Sequence, residues 1–274
     1  MVEDTKLQTG DTLKSRLTKT DTEETFTERS TGKYFYYAEG TGEPLVLLYG
    51  LFGSVKNYSK VITHFKKSYT VIVPQLPIYD LGLNVSVGAL SDYIHQLIQA
   101  LHLDNIHLVG NSLGGHIALL YCLNHPENVK SLILVGSSGL FENGMGDTFP
   151  RRGDYNYIKK KAEVTFFKPE TATKELVDEI FETVNNRVKA LKILCLAKST
   201  IKYNLKKELA TIKCDCCIVW GRQDAVTPPE TAEEFNRLIP QSSLFWIDDC
   251  GHVPMLETPE IFNHILSNFL KSGK

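Results

Sequence analysis

A chain of 274 residues, 42% hydrophobic and 23% charged, can bury one sizeable core, or a core with a small appended unit, and has an ordinary globular composition. Its formal net charge of −2 provides no global attraction for nucleic acid or anionic lipid, so neither nucleic acid nor membrane is expected as a partner. Met1-Val2-Glu3-Asp4 has no basic stretch followed by an apolar segment, and no run approaches the roughly 18 to 20 apolar residues of a membrane span, so a cytoplasmic protein is expected.

In chain order, residues 1–23 are rich in Thr, Asp, Glu and Lys, with Leu7, Leu13 and Leu17 scattered among them. They are expected to form a flexible extension with little area to bury. From Thr25 to Tyr37 the character alternates around a Ser30-Thr31-Gly32 turn, which predicts a hairpin, and Glu39-Gly40-Thr41-Gly42 precedes the first core strand. Apolar runs at Leu45–Tyr49, Thr70–Val73, Ile106–Val109, Ser131–Val135, Cys216–Trp220 and Ser243–Ile247 alternate with helical patterns. That alternation predicts an α/β fold whose mostly parallel central sheet carries helices on both faces.

One stretch breaks the alternation. Residues 138–211 lie between two core strands, open with a Gly- and Pro-bearing segment from Gly139 to Gly153, and show helical periodicity over Lys174–Val184 and Asn186–Ser199. They read as an inserted helical lid, with 24–137 and 212–274 forming the core. Phe166, Phe167, Ile180 and Phe181 either line a pocket beneath it or fasten it to the core. Lys159, Lys160 and Lys161 read as a solvated face. The six cysteines, Cys122, Cys195, Cys214, Cys216, Cys217 and Cys250, form no disulfide framework. Cys214-Asp215-Cys216-Cys217 lacks the paired spacing of a zinc site and reads as strand residues, so no metal is expected. Cys250, two residues before His252, reads as a buried thiol.

Three strand ends carry the chemistry. Gly110-Asn111-Ser112-Leu113-Gly114 follows the Ile106–Val109 run and precedes a helical run from His116 to Cys122. A serine on a sharp strand-to-helix turn is held above the sheet edge, and glycines sit where a side chain would clash. Asp224 follows the Cys216–Trp220 run in Gly221-Arg222-Gln223-Asp224, and His252 follows Ser243–Ile247 in Gly251-His252-Val253-Pro254, before a helical run from Pro259 to Leu270. In a parallel sheet the loops after the carboxyl ends of strands share one edge, so Ser112, Asp224 and His252 can converge. Asp248 and Asp249, though nearer to His252 in sequence, close their own strand and are expected to meet turn amides or solvent.

With these residues in the order Ser, Asp, His, the chain from about Lys33 to Leu270 resembles the α/β-hydrolase superfamily. The resemblance implies Ser112 as nucleophile, Asp224 as orienting acid and His252 as base. Leu45-Val46-Leu47-Leu48-Tyr49-Gly50-Leu51-Phe52-Gly53 is similar to the family's strand and His-Gly-x-x-Gly oxyanion loop, with Tyr49 in place of the histidine. It implies an oxyanion hole built from the backbone N–H groups of Leu51 and Leu113. Acyl transfer to water with a small-molecule substrate and no cofactor is then expected, from a monomer or homodimer. A serine nucleophile disfavours the dehalogenase and epoxide hydrolase branches. The loop does not match the Gly-Gly-x-Gly of a dipeptide-specific peptidase branch. A carboxylesterase for small to medium apolar acyl esters is the leading reading. The Gly110-Asn111-Ser112-Leu113-Gly114-Gly115 elbow also resembles meta-cleavage-product hydrolases, which cleave carbon–carbon bonds, although Val253-Pro254-Met255 lacks the tryptophan common there. The third reading is a ligand receptor with an intact but slow triad.

Overall fold

The computed structural model describes residues 17–19, 25–140 and 151–272. Strands β1 (Leu17–Lys19), β2 (Thr25–Thr31), β3 (Tyr34–Glu39), β4 (Glu43–Leu48), β5 (Tyr69–Pro74), β6 (Ile106–Asn111), β7 (Val129–Val135), β8 (Asp215–Gly221) and β9 (Ser242–Ile247) form one sheet in the order β1-β2-β3-β5-β4-β6-β7-β8-β9. β1, β2 and β3 run antiparallel to their neighbours, and the six strands from β5 to β9 across the sheet are parallel. The hairpin turns at Thr31↔Tyr34 through Gly32, whose φ of 57° suits glycine. β1 falls inside the segment expected to be an extension; residues 1–16 and 20–24 lie outside the described residues.

The helices are α1 (Ser59–Phe65), α2 (Val87–Ala100), α3 (Leu113–Asn124), α4 (Tyr155–Glu163), α5 (Lys174–Asn185), α6 (Arg187–Lys202), α7 (Pro229–Leu238), α8 (Pro254–Glu257) and α9 (Pro259–Ser272). Successive strand residues point to opposite faces, so each central strand feeds two cores. Leu108 and Ile218 join the cluster under α2, α3 and α7, and Val109 and Val219 join the one under α1 and α9. Continuous apolar runs are the signature of strands covered on both sides. Cys216 and Cys217 follow the same rule: they face opposite cores, both fully buried. Among the described residues, no group of His, Cys, Asp or Glu is arranged to hold a metal ion.

The insertion between β7 and β8 contributes α4, α5 and α6, capped by Asp154, Thr173 and Asn186, each accepting backbone N–H bonds from the first turn. Residues 141–150, in the opening segment of this insertion, lie outside the described residues. No helix among the described residues is long and apolar enough to cross a membrane.

Candidate active site

Ser112 sits between β6 and α3 with φ 55° and ψ −120°. This left-handed conformation is costly for a residue with a Cβ, and it persists because the surroundings over-determine it. Ser112 N–H donates to the Val135 carbonyl at 3.0 Å, and the Ser112 carbonyl accepts from the amides of His116 and Ser138, both at 3.2 Å. Gly114 is required because a Cβ there would strike the Leu48 carbonyl at the end of β4. α3 can therefore start against the sheet edge.

Asp224 and His252, both buried, reach each other from the loops after β8 and β9. His252 Nδ1 lies 2.8 Å from Asp224 Oδ2. The carboxylate is fully engaged: Oδ1 accepts the amides of Val226 (2.8 Å) and Thr227 (2.9 Å), and Oδ2 also accepts the Thr227 hydroxyl at 2.8 Å. The Trp220 indole N–H anchors this turn by donating to the Thr227 carbonyl at 2.9 Å. Asp248 instead pairs with Arg222 at 2.8 Å, and exposed Asp249 adopts a φ of 52° in the turn. The structure thus brings Asp224 to the imidazole and leaves both nearer aspartates away from it.

Ser112 and His252 line one cavity of about 90 Å³, together with Leu51, Phe52, Phe166 and Ile180. The Gly50–Gly53 loop approaches the serine so closely that a Cβ on Gly50 would lie 2.9 Å from the Ser112 Cβ. The loop is closed by Gly53 N–H to the Gly50 carbonyl at 3.0 Å, with Phe52 at φ 63°. Leu113 heads α3, where a first-turn N–H has no intrahelical acceptor and points along the positive end of the dipole. Tyr49, in place of the family's histidine, supports the loop in its own way. Its hydroxyl accepts the Leu76 amide at 2.9 Å, and burial pushes its pKa up to about 12, so it stays a neutral partner.

Three further residues support this arrangement. Thr227 holds the carboxylate, and an aspartate followed by a hydroxyl three positions on is a recognisable local turn signal. Asn111 is buried and its amide donates to the carbonyls of Val135 and His252, both at 3.0 Å, tying the serine turn to the histidine loop. The Glu257 carboxylate accepts the amides of Gly251 (3.1 Å), Val253 (3.1 Å) and Phe167 (2.7 Å), clamping both sides of His252 and one residue of the insertion. His252 N–H itself donates to the Thr165 carbonyl at 2.9 Å.

Of the four aromatic and aliphatic insertion residues singled out from sequence, Phe166 and Ile180 line the cavity. Phe167 is partly exposed, and Phe181 packs edge-on against Tyr155 with centroids 5.3 Å apart. Lys159 pairs with Glu163 on the surface of α4, within the expected solvated run. Cys250 is buried, and desolvation pushes its thiol up to about 12. Burial lowers the His116 pKa to about 4, leaving a neutral ring beside the Tyr203 carbonyl behind α3.

A family model of the alpha/beta hydrolase fold matches residues 43–165. The chain is 32% identical to Lipase 3 of Moraxella sp. (strain TA144), over 87% of this chain and 82% of that one. It is 28% identical to a 2-hydroxy-6-oxononadienedioate/2-hydroxy-6-oxononatrienedioate hydrolase of Comamonas testosteroni, over 85% and 90% of the two chains. Among solved structures, MGS-MChE2, an alpha/beta hydrolase enzyme from the metagenome of sediments of the Mar Chica lagoon in Morocco, is 40% identical. It superposes with a TM-score of 0.75 over 89% of this chain and 98% of that one. Similarity of sequence and of fold extends over most of the chain, which belongs to the α/β-hydrolase fold family.

Proposed function

We propose that the protein is a serine hydrolase that cleaves the carboxylic ester of a small to medium apolar substrate through an acyl-enzyme on Ser112. The observation that carries this reading is the buried Asp224–His252 pair at 2.8 Å with His252 and Ser112 lining one apolar cavity. In this reading Asp224 holds the imidazole with Nδ1 protonated, so Nε2 accepts the Ser112 proton as Oγ attacks the ester carbonyl. The tetrahedral oxyanion is met by the Leu51 and Leu113 N–H groups. His252 then returns the proton to the leaving alcohol, and water repeats the sequence to free the acid. The α4–α6 insertion serves as the lid, and its Phe166 and Ile180 give the cavity beside Ser112 an apolar wall for the substrate. Six free thiols suit the reducing cytoplasm.

Carbon–carbon hydrolysis of a vinylogous diketone is the second reading, supported by the similarity to the Comamonas testosteroni hydrolase. A panel of p-nitrophenyl esters of rising chain length, run beside such a diketone with wild type and Ser112→Ala, decides between them. Ser112-dependent turnover of short esters with a negligible diketone rate supports ester hydrolysis. The reverse ranking overturns it.

A further inference from the structure

The net charge of −2 conceals a segregation. Residues 138–211 carry 14 Lys and Arg against 10 Asp and Glu, a net of +4 that leaves −6 on the rest of the chain. α6 concentrates it: five of its sixteen residues are basic and none is acidic.

Helical spacing of about 100° per residue sorts α6 into two faces. Ile193 and Leu196 are buried on one, where Ile193 joins Phe52 and Ile180, two residues of the Ser112 cavity. The opposite arc presents Arg187, Leu191, Leu194, Lys198, Ile201 and Lys202, all exposed. Its three aliphatic residues are 52%, 50% and 66% exposed in that order. Exposed aliphatic residues are ordinary when scattered. Three on one helix face, interleaved with three cations and no anion, combine apolar contact area with attraction for an anionic surface. Among the described residues, no ion pair engages Arg187, Lys198 or Lys202.

We propose that the outward face of α6 docks the protein on an anionic phospholipid surface. The cations give it attraction to lipid phosphates, and the aliphatic side chains sink between head groups once contact is made. A second copy of the chain is the poorer occupant, because a two-fold contact would press one basic face against another. A convex helix face ringed by long lysine side chains also suits a fluid surface that moulds to it. Docked this way, α6 lies between the lipid and Phe52 and Ile180 of the Ser112 cavity, which pack with its inward-facing Ile193.

Docking needs no turnover, so full-length Ser112→Ala protein tests it separately from the ester-hydrolase reading. Its sedimentation with vesicles of phosphatidylcholine alone is compared with that on phosphatidylcholine doped with phosphatidylglycerol. Binding is expected on the anionic vesicles alone, falling steeply as salt rises from about 0.1 to about 0.5 M. Lys198→Gln with Lys202→Gln should weaken it about 30-fold, at roughly fivefold per charge. Leu191→Ser with Leu194→Ser should weaken it at every salt concentration, with far-UV circular dichroism unchanged in both variants. Equal binding to neutral and anionic vesicles, no binding to either, or indifference to both pairs of substitutions overturns the proposal. So does a homodimer, by light scattering, that the leucine substitutions dissolve.

Discussion

Asp224→Asn is the most informative single substitution, because the surrounding hydrogen bonds dictate how the new amide must sit. Oδ1 of Asp224 accepts two backbone N–H groups, at 2.8 and 2.9 Å. An asparagine satisfies them only by placing its carbonyl oxygen there, which turns its NH₂ toward His252 Nδ1 and the Thr227 hydroxyl. The flipped rotamer would set two N–H donors against two amides, at about 1–3 kcal/mol for each buried group left unsatisfied. The favoured orientation donates to Nδ1, so the imidazole carries its proton on Nε2 and cannot accept one from Ser112. The expected loss in kcat is up to about 10⁴-fold, or about 5 kcal/mol of transition-state stabilisation, with the fold retained. Asp248→Asn, by contrast, removes only a solvent-exposed partner of Arg222 and should change kcat by less than about twofold. Initial rates on a short p-nitrophenyl ester, with circular dichroism on each variant, measure both. If Asp224→Asn keeps more than about a tenth of wild-type kcat, or Asp248→Asn is equally damaging, the tautomer argument is refuted.

Glu257→Ala deprives three backbone N–H groups of their acceptor and should cost about 2–4 kcal/mol of stability, seen as a melting temperature several degrees lower, and should also reduce kcat by loosening the His252 loop. An unchanged melting temperature would show that water replaces the carboxylate. Asn111→Leu removes both donors that tie the Ser112 turn to His252, and kcat should fall at least about tenfold with KM little changed; equal losses in kcat and in melting temperature would point to a purely structural role. Cys250 should resist iodoacetamide in the native protein near neutral pH, since its pKa of about 12 leaves it a thiol until the medium is strongly alkaline, and should react once the chain is unfolded. Rapid native labelling at neutral pH, located by peptide mapping, would contradict its burial.

The core strands were legible because parallel strands buried on both faces read as unbroken apolar runs, and each predicted run from Leu45–Tyr49 to Ser243–Ile247 overlaps a strand of the sheet. The α5 and α6 boundaries were nearly readable too, since Thr173 and Asn186 are side-chain caps at the start of periodic segments. That Ser112, Asp224 and His252 lie on one edge could be read because each follows the carboxyl end of a parallel strand, and topology alone gathers such ends on one edge. Glu257 and Asn111 escaped because their roles are hydrogen bonds to backbone groups distant in sequence or in an irregular loop, which no periodicity encodes. Phe166 and Phe167 are adjacent and chemically identical, so only the turn after α4 decides that the first enters the cavity and the second meets solvent. The basic face of α6 was hidden for another reason: a charge summed over the whole chain cancels the insertion against the core.

The central claim is that Ser112 is an activated nucleophile beside an oxyanion hole, and a fluorophosphonate probe tests it directly, since such a serine attacks tetrahedral phosphorus as it would a carbonyl. Stoichiometric labelling of the native protein, mapped to Ser112, abolished in Ser112→Ala and strongly slowed in Asp224→Asn, is the predicted result. Labelling that persists in Ser112→Ala, or a native wild-type protein that takes up no probe, would contradict the account.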